Sequence, residues 1–188
     1  MNLNDREWKL FFIGELFTVE RPNARNKDDY EYGTVPFVAS GCVNNGVLTC
    51  CKPQVNEQLD KSNCITVSPV DGSSFFHPYS FLGRGGAGSS VLMLYNSYLN
   101  IFNGLFIARC VSHTCTEKYN YGHMGNKDSI KRERIILPVD KEGNPDYKFM
   151  EDYIRELMER KRKQYYIYAE KEIKKLKPDL KIRGGYNP

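Results

Sequence analysis

Between Asp146 and Lys177 the chain holds neither glycine nor proline, and Glu, Lys, Arg, Leu and Met dominate the stretch. Its 32 residues predict one uninterrupted helix, which at ~1.5 Å per residue reaches about 48 Å. Helices in globular proteins average about a dozen residues, so this one outruns the core it can cover. Pro178 is predicted to end it, because the ring removes a donor and clashes with the preceding turn. Upstream of Val139 the texture reverses: short apolar runs are punctuated by Gly, Asn, Ser and Pro, the pattern of strands and turns. The expected fold class is therefore α+β, a twisted, mostly antiparallel or mixed sheet domain over residues 1–140. A spacer or dimerisation helix follows over 141–177, and a tail over 178–188.

Charge divides along the same line. Residues 141–188 hold 13 Lys and Arg against 9 Asp and Glu, whereas residues 1–140 are balanced at 14 of each. The strand-rich part is thus no generic polycation, and any nucleic-acid contact there needs local patches. Ser73 to Thr116 runs 44 residues without an acidic side chain, and Lys118 to Arg134 then supplies five cations. No apolar run approaches the ~18 residues that span a bilayer. Met1 to Glu7 carries charges of both signs and lacks a signal-peptide pattern; a cytoplasmic address and no membrane partner are expected. The six cysteines include no Cys-x-x-Cys pair and read as reduced, small hydrophobic residues.

Several catalytic patterns occur without the context that chemistry requires. Gly83 to Gly88 spells G-x-G-x-x-G, but a dinucleotide site needs a helix opening there and an acid about 20 residues on. A mobile surface loop is the expectation instead. Pro145-Asp146 with Glu159-Arg160-Lys161 imitates a nuclease carboxylate set, yet on one helix those carboxylates lie roughly 20 Å apart. Cys110, His113 and Cys115 lack a fourth ligand. No catalytic residue and no metal site is expected.

Strands are read at Val35 to Ser40, Cys64 to Ser68, Phe75 to Phe81, Val91 to Tyr95, Leu105 to Val111 and Ile135 to Val139. An apolar segment with a short turn precedes them at Trp8 to Phe17, and a short helix is placed near Tyr98 to Phe102. Asn44-Asn45-Gly46-Val47 is a turn whose residues tolerate left-handed backbone.

The order of these motifs resembles a known family. Trp8…Phe11…Ile13-Gly14-x-Leu16-Phe17, Asn44-Asn45-Gly46-Val47, Ile65-Thr66-Val67-Ser68 and Phe76-His77-Pro78 come first. Lys118-Tyr119-Asn120-Tyr121-Gly122, Leu137-Pro138-Val139 and Gly143-Asn144-Pro145-Asp146-Tyr147 with Phe149-Met150-Glu151-x-Tyr153-Ile154 follow. The chain is similar to a target recognition domain of type I restriction–modification specificity subunits over residues 8–177. That resemblance implies a module that reads one half of a split double-stranded DNA target. Its long helix would pack with a second helix to set the distance to the other half-site. A separate DNA methyltransferase subunit would flip and methylate an adenine from its own S-adenosylmethionine. A restriction subunit is a further implied partner. Full specificity subunits carry two such domains and two helices, so pairing is expected, as a homodimer or with a second specificity chain. The chain has no Asn-Pro-Pro-Tyr or Asn-Pro-Pro-Phe motif, and no cofactor or catalysis of its own is expected.

Base reading in the major groove needs Asn or Gln for adenine and Arg or Lys for guanine. Loop residues Ser40, Asn44, Asn45, Ser73, Ser74, Tyr119, Asn120, Tyr121, Lys127, Lys131 and Arg132 are the candidates, with hydroxyl and Lys contacts mostly positioning phosphate. On the helix, Met150, Tyr153, Ile154, Leu157 and Met158 form an apolar face. Four cations, Arg160 to Lys163, interrupt it before Tyr165, Tyr168, Ala169, Ile173 and Leu176 resume. Ile154, Leu157, Tyr165, Tyr168 and Leu176 are assigned to the partner helix. The alternative from another class is a scaffold whose sheet contacts protein rather than DNA; steep salt dependence of DNA affinity separates the two.

Overall fold

Period-two alternation gives the central strands two apolar faces, and the chain covers each with a different layer. The computed structural model describes residues 1–86 and 90–182, with side chains as far as Leu176. The strands form three sheets rather than the one expected. β1 (Trp8–Phe12) leads through a single helical turn, α1 (Ile13–Leu16), into β2 (Thr18–Glu20). β3 (Tyr32–Val38) and β4 (Val47–Cys51) pair antiparallel around the Val43–Gly46 turn. β5 (Cys64–Val67) and β6 (Ser74–His77) form a second antiparallel pair. β7 (Leu82–Gly83) runs parallel to β3, and β8 (Leu92–Tyr95) pairs with β5 and β2. β9 (Arg134–Pro138) closes on β1. The sheets are thus β1-β9, β2-β8-β5-β6 and β4-β3-β7.

All four residues of β5 are buried. Ile65, Val67, Leu92 and Leu94 join the main core. Cys64 and Met93 turn the other way, onto Val38 and Phe81 of a smaller core.

The main core is roofed by a helix the sequence reading placed wrongly. Leu105 to Val111 is not a strand; it lies inside α2 (Ile101–Thr116), which takes in only Ile101 and Phe102 of the short helix expected near Tyr98 to Phe102. Asn100 starts α2: its side chain accepts from the amides of Phe102 and Asn103, and Asn103 Oδ1 accepts from the Asn100 amide at 2.8 Å. This reciprocal cap satisfies donors that a helix start leaves open. Ile107, Val111 and Cys115, one turn apart, are then fully buried. Where α2 crosses β6, a Cβ on Gly104 would sit 2.4 Å from the Phe76 ring. Gly104→Ala is therefore expected to cost about 1–3 kcal/mol through overpacking, despite alanine's helix preference of up to about 1 kcal/mol. Denaturant titration checks this, and an unchanged or raised midpoint would show that the contact relaxes freely.

α4 (Tyr147–Ile182) starts where expected, with Asp146 Oδ1 accepting from the Phe149 amide at 2.9 Å. It continues past Pro178, so the expected stop there is wrong; residues 183–188 of the expected tail lie outside the described residues. Its base is anchored on the domain. Phe149 and Met150 are buried, Tyr153 meets Phe106 edge-on at 5.8 Å, and the Arg155 guanidinium lies 3.7 Å over the Phe102 ring. Ile154 packs against this same core, which removes it from the set of residues expected to face a partner helix. Leu157 is half-buried, and Tyr165, Tyr168 and Leu176 are exposed. Tyr166 and Ile167 are exposed beside them, so apolar groups point outward around most of this turn.

The first glycines of the Gly83–Gly88 segment, expected in a surface loop, pack against neighbouring chain. Gly83 is a buried β7 residue whose amide donates to Asp60 Oδ2 at 2.8 Å. A Cβ on Gly85 would fall 1.8 Å from the Asn23 carbonyl oxygen. Ala87, Gly88 and Ser89 lie outside the described residues.

Candidate nucleic-acid interface

The tight turn between β5 and β6 gathers the candidate residues. Ser68 and Ser73 close it, the Ser68 amide donating to the Ser73 carbonyl at 2.9 Å. Gly72 holds a φ of +71° there, and a Cβ would lie 2.2 Å from the Cys115 carbonyl carbon. Only glycine fits, for both reasons, so the turn is pressed onto the end of α2. On one side the Gly41 amide donates to Ser68 Oγ at 3.3 Å; on the other the Gly125 amide donates to the Pro69 carbonyl at 2.9 Å. Segments 40–46, 68–74 and 119–132 therefore meet at one end of the domain.

Several candidates are spent inside this junction. Ser73 and Ser74 are buried; Ser73 Oγ donates to Asp71 Oδ1 at 2.7 Å and Ser74 Oγ to the Gly72 carbonyl at 3.0 Å. Partial burial works against the Asp71 carboxylate, but hydrogen bonds from Ser68 and Ser73 hold it below the usual carboxylate range. Tyr119 is buried, with its ring against Gly125 and its hydroxyl 3.4 Å from Ser129 Oγ; burial pushes its phenol up to about 12. It supports the loop from beneath. Asn120 Oδ1 accepts from the Gly122 and His123 amides, each at 2.9 Å, and so shapes its own turn.

The remaining candidates face solvent. Tyr121 is 83% exposed, Asn44 and Asn45 are exposed in left-handed conformations, and Ser40 is half-buried. Lys127, Lys131 and Arg132 are not on a loop, as expected, but on a short helix, α3 (Lys127–Arg132), capped by Asn126. The helix faces inward through Ile130 and lays the stem of Lys131 over Gly14. Its three cations are exposed, and among the described residues none of them is in an ion pair. Arg109 and Ser112 were missed: they line a groove with Asn45 and Ser74. The Asn100-x-x-Asn103 cap was the available signal that this run is helical.

The metal-like trio is dispersed by its helix. Cys115 is buried and His113 exposed, and among the described residues no group of three or more His, Cys, Asp or Glu is placed to hold an ion. Among those residues no helix is long and apolar enough to cross a membrane.

Residues 5–165 match the profile of a family described as the type I restriction modification DNA specificity domain. The chain belongs to this family. A relative described as the specificity subunit S.BcgI of a type II restriction enzyme from Heyndrickxia coagulans is 31% identical over 156 residues. That alignment takes in 81% of this chain and 44% of the relative. The fold is similar to that of the type I restriction–modification S subunit of M. genitalium, with a TM-score of 0.57 at 15% identity over 93% of this chain and 44% of that one. The HsdS subunit of Thermoanaerobacter tengcongensis gives a TM-score of 0.53 at 12% identity, over 81% and 38% of the two chains. This specificity domain thus spans less than half the length of the relatives it matches.

Proposed function

We propose that this specificity domain reads one half of a split double-stranded DNA target and docks a separate DNA methyltransferase subunit there, with no catalytic role of its own. The observation that carries the proposal is the tie of segments 40–46 and 119–132 to the same β5–β6 turn, each bearing exposed amide, phenol or cationic side chains, the cations in no ion pair among the described residues. Asn45 and Tyr121 supply planar or hydrogen-bonding groups for base edges, while Asn44 and Asn120 shape the turns that present them. Lys127, Lys131 and Arg132 supply charge for phosphate. Ser73, Ser74 and Tyr119 act by holding the loops. In this reading the exposed length of α4, through Leu157, Tyr165, Tyr168 and Leu176, pairs with a second helix. That helix belongs to another copy or to a second specificity chain, and a restriction subunit joins the assembly. S-adenosylmethionine belongs to the methyltransferase partner.

The test is salt-dependent binding. Replacing Lys127, Lys131 and Arg132 together by alanine is expected to weaken duplex binding at least about tenfold and to flatten its dependence on salt, by roughly one in slope per lost phosphate contact. Fluorescence anisotropy across a salt series measures both. Wild-type affinity with the wild-type slope would move the DNA surface elsewhere; no duplex binding by the wild type would favour a protein-contacting scaffold.

A further inference from the structure

The turn between β3 and β4 has an unusual backbone. Asn44 and Asn45 are consecutive non-glycine residues at φ +50° and +54°, followed by Gly46 at +75°. Asparagine adopts this region more readily than most residues, but normally singly. The two side chains have different employment. Asn44 Nδ2 donates to the Val47 carbonyl at 3.0 Å and locks the turn. Asn45 is exposed, and among the described residues its carboxamide makes no hydrogen bond.

What Asn45 overlooks is a groove between the turn and α2, whose opposite wall includes Leu105, Arg109 and Ser112. Arg109 is exposed and in no ion pair among the described residues. The wall from Ser73 to Thr116 contains no acidic residue. Two residues before Asn45 on the same turn, Val43 is 79% exposed. An exposed carboxamide, an apolar group on the same turn and an unneutralised guanidinium across an acid-free groove match an A·T base pair next to a phosphate. Asparagine bonds adenine N6 and N7, an apolar side chain touches the thymine methyl, and arginine takes the backbone.

We propose that Asn45 and Val43 read an A·T pair of the half-site and that Arg109 of α2 holds the adjoining phosphate. This rests on the DNA-reading function proposed above and assigns residues within it. Arg109 lies outside the cation cluster of α3, so its contribution is separable.

The experiment selects duplexes from a randomised pool with the full chain, then with Asn45→Gly and Arg109→Ala. Glycine keeps the left-handed backbone while removing the carboxamide, and both sites are exposed, so thermal melts should match the wild type. Asn45→Gly is expected to relax the selected sequence at one A·T position, with discrimination there falling about tenfold or more. Arg109→Ala should weaken binding to all selected duplexes alike and lower the salt slope by about one. An unchanged consensus for Asn45→Gly, or an unchanged slope for Arg109→Ala, overturns this assignment while the DNA-reading function stands. Failure of the wild type to enrich any duplex overturns both.

Discussion

Arg25→Ala is expected to lower stability by about 3–5 kcal/mol, the range for removing one partner of a buried ion pair. The Arg25 side chain is 2% exposed and fully committed. Nε donates to Glu57 Oε1 at 2.7 Å, one terminal nitrogen to Asp60 Oδ2 at 2.7 Å and to the Gly83 carbonyl at 3.3 Å, and the other to the Gln58 carbonyl at 2.7 Å. Asp60 also accepts from the Gly83 amide, and Glu57 from the Tyr30 hydroxyl at 2.7 Å. One guanidinium therefore ties the 57–60 segment to the edge of the β4-β3-β7 sheet. Burial pushes the Asp60 carboxyl above its ordinary value even with these donors present. Without the guanidinium, both carboxylates stay in their pocket with no neutralising charge. The deficit should accordingly shrink as pH falls through the carboxylate range, since protonation removes the uncompensated charge. Denaturant melts of wild type and variant at several pH values read this out; a deficit that does not change with pH would assign the loss to packing alone.

His77 sets the second large effect. It is completely buried on β6, with Nε2 2.9 Å from Thr66 Oγ1 and its ring against Phe81 at 5.1 Å. Burial lowers its pKa from 6.5 to about 4. Between those two values the unfolded chain takes up a proton that the folded chain refuses. Stability contributed by neutral His77 is thus fully present above pH 6.5 and falls as pH drops, by about 3 kcal/mol at pH 4. His77→Gln keeps a hydrogen-bonding group toward Thr66 and does not titrate. The difference in stability between wild type and variant should therefore change by that amount across the window. Parallel curves would mean that the imidazole is protonated inside the fold.

How much of this was legible in the sequence depended on the kind of signal. The helix from Asp146 was readable because 32 residues without Gly or Pro leave few alternatives. β5 and β8 were readable because short branched apolar runs bounded by polar turns suit buried strands. Leu105 to Val111 has the same local texture, and only the cap at Asn100, five residues after an apolar strand, distinguishes it. β4 escaped because its Cys50 and Cys51 have no strong strand preference; pairing with β3 decides their conformation. At the candidate site, residue type was informative and orientation was not. Ser73, Ser74 and Tyr119 have the right chemistry for DNA, but tertiary contacts turn them inward. Pro178 did not stop α4, although the ring forfeits one helical hydrogen bond there.

The β5–β6 turn gains its shape from main-chain contact, Gly72 lying against the Cys115 peptide, while Val43, Asn45 and Tyr121 project from neighbouring segments into solvent. Root and tip therefore differ in what they tolerate. An added methyl group at the root collides with backbone that has nowhere to go, whereas an exchange at the tip alters no buried contact. On the proposed function, a lineage carrying this domain can drift from one target to another by tip substitutions that folding selection does not see. The fold then acts as a fixed handle on which addresses are rewritten, and relatives sharing every glycine contact at the root need not share a single base of their targets.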